Sequence, residues 1–146
     1  MQTFLPYPDF TASAQSLDSK RLGKQRVEAI QIMRTLLGIS TRGWRNHPAV
    51  LMWEGHEAAL WRYTDAICTE WVERGYRNAA CAQHLADLAA VIDLTDQSIP
   101  QWLGDEEFHS SHRSNLLRKA PHHYGQLWPD ADPMAPYVWP VSTTSK

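Results

Sequence analysis

The sequence predicts an all-α fold: a compact, single-domain bundle of about four helices over residues 1–146, with extended N- and C-terminal segments. Three observations carry that expectation. Apolar residues recur at helical spacing through most of the chain, and no two segments show the period-2 alternation that a sheet requires. Prolines gather at the two ends, at Pro6 and Pro8 and again from Pro129 onward. A chain of 146 residues can bury a core without disulfides or metal. The two cysteines, Cys68 and Cys81, belong to no CxxC pair and read as buried thiols, which suits a reducing compartment.

The elements follow in order. Residues 1–8 read as extended, because Pro6 and Pro8 remove backbone donors and disfavour helix just before them. Asp9 or Thr11 can cap a helical stretch, and Asp18 offers a second start at LDSKRLGKQRVEAIQIMRTLLG. Leu22, Ala29, Ile32, Met33 and Leu36 share one side of that helix, and Gly38 ends it. After the loop ISTRGWRN, Asn46 or His47 caps a helix with Pro48 in its first turn, running with helical spacing from Ala49 to Arg74. A third helix covers roughly Ala79 to Ile92. A fourth starts at Gly104-Asp105 and is closed by Pro121. The tail from Pro129 is expected to lie extended on the helices, with 141–146 frayed. No basic leader precedes an apolar run, and no stretch approaches the ~20 apolar residues of a membrane span, so a cytoplasmic monomer is expected.

A net charge of −2 gives no global argument for a polyanionic partner, but the distribution is uneven. Residues 1–50 carry a net +4, residues 51–110 a net −8 and residues 111–146 a net +2. A basic N-terminal third and the basic segment near 113–119 can make one positive face on an acidic body.

Three constellations could carry chemistry. On the first long helix, Arg21, Gln25 and Glu28 share a stripe about 60° wide at 100° per residue, with Lys20 and Lys24 in a parallel row. An arginine buried beside a carboxylate is costly unless the two serve each other or a ligand. The plain alternative is therefore an Arg21–Glu28 ion pair that fixes packing. In WRNHPAVLMWEGHEAALWRY, Gly55 costs a helix ~1 kcal/mol and is expected to let another backbone approach. His56 beside it is either a core histidine or a residue that orients the site. Trp44, between Arg42 and Arg45, can stack on an exposed base while the cations hold phosphate, or simply anchor its loop. In IPQWLGDEEFHSSHRSNLLRKAPHHY, His109 and His112 at i, i+3 could bind a metal, but no third ligand lies in register. Arg113, Arg118 and Lys119, with Ser114 and Asn115, suit phosphate contacts better, or else complement the helix dipole.

Taken in order, LDSKRLGKQRVE, HPAVLMWEGHEAALWRY with WVERGY, IPQWLGD and a basic helix ending in PHHYG resemble the pyrimidine-dimer glycosylase (endonuclease V) family of phage and bacteria. The resemblance implies a helical DNA-repair enzyme that excises damaged or modified bases from double-stranded DNA, with associated abasic-site lyase activity and no cofactor or metal. In that family an N-terminal α-amine attacks the sugar C1′, a first-helix glutamate assists, and arginines grip a kinked duplex with a base extruded. The chemistry is sound. α-Amines titrate at about 7.7–8.0, so far more of one is neutral near pH 7 than of a lysine. Flipping a nucleotide costs a few kcal/mol, least at a lesion, which supplies selectivity.

Carried onto this chain, the expected catalytic residues are Met1, Arg21, Lys24, Gln25, Glu28 and His56. The expected DNA contacts are Lys20, Arg42, Trp44, Arg45, Arg113, Arg118 and Lys119. Gln2 is too large for normal methionine removal, so Met1 itself presents the amine, or Lys20 or Lys24 replaces it. The family pairs its glutamate directly with a preceding arginine, whereas Leu22 follows Arg21 here and Glu28 is the only first-helix glutamate. That departure keeps two alternatives in view: a catalytically silent DNA- or nucleotide-binding domain on the same scaffold, and a metal-dependent hydrolase built on His109 and His112.

Overall fold

Asp9 caps a first short helix, α1 (Phe10–Ser16), its carboxylate accepting from the Ala12 amide at 3.1 Å. Leu17 then turns extended and drives its side chain fully into the core, and Asp18 precedes the long α2 (Ser19–Leu36). The computed structural model describes residues 1–40 and 45–141. Arg42, Trp44 and the end of the expected frayed tail, 142–146, lie outside the described residues.

The architecture is all-α and single-domain, but the described residues form seven helices rather than about four. One long helix was expected from Ala49 to Arg74. It is instead two, α3 (Pro48–Leu51) and α4 (Glu57–Glu73). The cause is Gly55, which adopts φ +82, a left-handed conformation that interrupts a right-handed helix and is open to glycine at little cost. The close approach expected at Gly55 is not seen among the described residues, none of which comes within 4 Å of where its Cβ would be. Next come α5 (Ala79–Ala89), α6 (Glu106–Lys119) capped by Asp105, and α7 (Pro121–Leu127). Pro121 closes α6 as expected, but it also occupies the first turn of α7, where its missing N–H is no loss. Among the described residues, no helix is long and apolar enough to cross a membrane.

Helices α2 and α4 pack face to face at the centre, with α1 and α5 also on α4, and α6 paired with α7. Gly23 on α2 faces Trp71 on α4, where an added Cβ would stand 2.9 Å from the ring. Trp53 is the largest fully buried side chain, packed edge-on to Trp102 with ring centroids 4.9 Å apart.

The N-terminal segment does not lie on the surface. Residues 2–6 are buried, and side chains rather than a sheet satisfy their backbone. Gln25 donates to the Gln2 carbonyl at 2.8 Å and accepts from the Phe4 amide at 2.9 Å. The Tyr63 hydroxyl donates to the Phe4 carbonyl at 2.8 Å. Leu5 is held at both ends, its amide donating to His112 Nδ1 at 2.9 Å and its carbonyl accepting from His109 Nδ1 at 2.8 Å. Arg113 donates to the Pro6 carbonyl at 2.6 Å. The chain start is thus threaded between α2, α4 and α6 and fixed residue by residue.

Candidate active site

Threading the N-terminus through the core delivers the Met1 amine to the floor of a cleft of about 830 Å³. The α2 wall presents Lys20, Arg21, Gly23, Lys24, Val27 and Glu28, so two of the three stripe residues read from the sequence, Arg21 and Glu28, face the cleft, while the third, Gln25, is fully buried. Lys119, at the C-terminal end of α6, adds a further cation. Phe4, Tyr137 and Trp139 form an aromatic side. Among the described residues, Glu28 is the only carboxylate in the lining.

The amine nitrogen lies 3.9 Å from Glu28 Oε2. Gln25, fully buried beneath the stripe, donates to Glu28 Oε1 at 3.2 Å while also holding Gln2 and Phe4. The same Gln25 oxygen lies 2.6 Å from the Tyr63 hydroxyl, whose one proton is shared between it and the Phe4 carbonyl. One carboxamide therefore fixes both the amine-bearing segment and the carboxylate. Burial, reinforced by the Glu28 charge, pushes the Tyr63 hydroxyl well above the ordinary phenol range and keeps it a donor. Burial and the N-terminal ammonium together hold His47 below the usual histidine value.

Arg21 does not pair with Glu28. Its guanidinium contacts both Asp18 oxygens at 3.3 Å, and Asp18 in turn accepts from the buried Tyr124 hydroxyl. Burial raises the Asp18 pKa, but the bond from Tyr124 and the charge of Arg21 outweigh it, so Asp18 stays below its ordinary value. The plain alternative of an Arg21–Glu28 pair is thereby replaced, leaving Glu28 to the amine and Gln25.

Of the residues expected from the sequence, the fold brings Met1, Lys20, Arg21, Lys24, Glu28 and Lys119 to the cleft, with Gln25 directly below. His56 lies elsewhere, at the start of α4. Arg45 donates to the Thr35 carbonyl at 3.2 Å. Arg113 is bound to Pro6 and Glu106, and Arg118 to the carbonyls of Pro133 and Ala135 at 2.5 and 2.9 Å. His109 spends its second ring nitrogen on the Gly104 amide at 2.9 Å, and each histidine holds Leu5 through Nδ1. The pair is therefore a backbone clamp, and the described residues contain no group of three or more His, Cys, Asp or Glu able to hold a metal ion. Sequence reasoning missed Gln2, Phe4, Tyr137 and Trp139. For the last two, the available signal was a pair of aromatics inside a proline-rich tail otherwise read as packing.

A model of the family described as pyrimidine dimer DNA glycosylase matches residues 1–83, the portion that supplies the amine, α2 and α4. No curated protein and no solved structure matches the chain.

Proposed function

The chain belongs to the pyrimidine dimer DNA glycosylase family, and from that premise we propose that it excises damaged or modified pyrimidines from double-stranded DNA through its Met1 α-amine. The observation that carries this reading is the amine 3.9 Å from Glu28 Oε2 at the floor of a cation-lined cleft. Lys20, Arg21, Lys24 and Lys119 neutralise phosphates on either side of an extruded nucleotide, which sets the sugar over the amine.

The neutral amine attacks C1′ as the C1′–N bond breaks, and its electron pair leaves with the base, which takes up a proton. The positive charge that develops on the sugar is stabilised by the Glu28 carboxylate. Loss of a proton from the new C1′ amine and opening of the sugar ring, with protonation of its oxygen, give a Schiff base. Loss of a C2′ proton from that Schiff base with departure of the 3′ phosphate is the abasic-site lyase step. Gln25 is a positioning residue that keeps amine and carboxylate in register.

The test is single-turnover base release from a duplex containing a cyclobutane pyrimidine dimer and from duplexes carrying oxidised pyrimidines. Release from at least one, lost when the amine is blocked by reductive methylation, is the expected result. Binding without release from any of them would favour the catalytically silent alternative.

A further inference from the structure

We propose that Gln2 is a catalytic residue, its Nε2 donating a hydrogen bond to the 2-carbonyl oxygen of the departing pyrimidine. This rests on the glycosylase reading and deepens it by naming the group that meets the charge of the leaving base.

Gln2 is pinned twice. Its backbone carbonyl accepts from Gln25 Nε2 at 2.8 Å, and its side-chain Oε1 accepts from the Thr3 amide at 2.9 Å. A backbone N–H can only donate, so the Thr3 bond fixes which end of the carboxamide is oxygen and turns Nε2 away from it. That nitrogen is an orphan. Gln2 lines the cleft yet is only 7% exposed, and its Nε2 has no hydrogen-bond partner of normal geometry among the described residues, although the carboxamide faces the Tyr137 hydroxyl. A buried donor left unmade is expensive, and a ligand acceptor satisfies it. Consecutive Cα atoms stand ~3.8 Å apart, so the Met1 amine and this donor are held within the span of one nucleotide.

The leaving base supplies the acceptor. As the amine nitrogen bonds to C1′ and the C1′–N1 bond breaks, the electron pair passes to N1 and spreads through C2 onto O2. In an intact pyrimidine the C5–C6 double bond also carries charge towards C4. Saturation of that bond, as in a cyclobutane dimer, closes the second route and leaves O2 as the main seat of charge. A preorganised donor at O2 therefore acts where charge develops in the transition state. Gln2 gives up no proton, and the departing base anion takes its proton from water. Damage at C5 and C6 leaves O2 in place, so one donor serves dimerised and oxidised rings alike.

Two variants test the assignment. Gln2→Met keeps the length of the side chain but removes both functions of the carboxamide, whereas Gln2→Glu restores an acceptor for the Thr3 amide and still lacks the donor. Single-turnover base release, from the dimer or oxidised-pyrimidine duplex that the wild type processes, should fall by about 10²- to 10³-fold in both, the loss on removing one such donor. Borohydride trapping on an abasic-site duplex, from which no base departs, should keep the wild-type rate in both at a pH that leaves the α-amine neutral. Recovery of release in Gln2→Glu, or trapping that falls in step with release, would make Gln2 a prop for the N-terminal segment and overturn the proposal. Undiminished release in either variant would overturn it as well. Gln2→Glu decides alone if Gln2→Met does not fold. The glycosylase reading fails differently: wild-type protein would then release no base from any of the lesion duplexes.

Discussion

Glu28 sits between two donors, the Met1 amine and the Gln25 carboxamide, and neither is a strong structural tie. The carboxylate is part-exposed, with side-chain exposure of 31%, so its pairing with the amine should contribute no more than about 1 kcal/mol to folding. Glu28→Gln is therefore expected to leave the melting temperature nearly unchanged while slowing base release by about 10²- to 10⁴-fold. Parallel melting and single-turnover assays on that variant decide it, and a large fall in melting temperature with undiminished excision per folded molecule would exclude a catalytic role. Gln25 should behave in the opposite way. It is fully buried, and Gln25→Ala strands the Phe4 amide and the Gln2 carbonyl, each at about 1–3 kcal/mol. Stability should drop by several kcal/mol in urea melts, and only a change of less than about 1 kcal/mol would refute the clamp.

Between elements, the decisive contact is α6 on the N-terminal segment. Burial, with the neighbouring His109, holds His112 at about 3, far below the 6.5 of an unperturbed imidazole, and its unprotonated Nδ1 accepts the Leu5 amide. Burial holds His109 low as well. A depressed folded-state value means that the unfolded chain takes up protons first. Stability is therefore intact above pH 6.5 and is lost as pH falls from there towards 3, with a limiting slope of about 1.4 kcal/mol per pH unit for each such histidine. His112→Asn, whose side-chain oxygen can replace Nδ1 as acceptor, should reduce that slope in melts between pH 6.5 and 4, and an unaltered slope would place the acid sensitivity elsewhere. At the α2–α4 contact, Gly23→Ala would put a methyl 2.9 Å from a Trp71 ring that is itself stacked on Tyr76. The ring has little freedom to yield, so about 1–3 kcal/mol should be lost in chemical denaturation, and a neutral result would show that it moves freely. Helical spacing made α2, α4, α5 and α6 legible in the sequence, together with the Arg21–Gln25–Glu28 stripe. The break between α1 and α2 was legible too, from Asp18 as a second helix start, whereas the break at Gly55 was not, because it is decided by a single dihedral rather than by periodicity. The clamp from His109 and His112 was equally hidden, since it joins residues more than a hundred positions apart.

At the scale of the whole molecule, one cleft gathers cations from two separate elements, α2 and α6. Lys20, Lys24 and Lys119 are exposed there, while Arg113 and Arg118 are bound to backbone carbonyls. Lys24→Ala and Lys119→Ala should each flatten the salt dependence of duplex binding by about one phosphate contact, whereas Arg118→Ala should loosen the tail and leave the slope alone. The most direct measurement of the central claim is borohydride trapping on abasic-site DNA, followed by digestion and mass spectrometry to locate the adduct. A reduced adduct on the α-nitrogen of the Met1 peptide is the predicted result. No adduct, or one confined to Lys20 or Lys24, would contradict it.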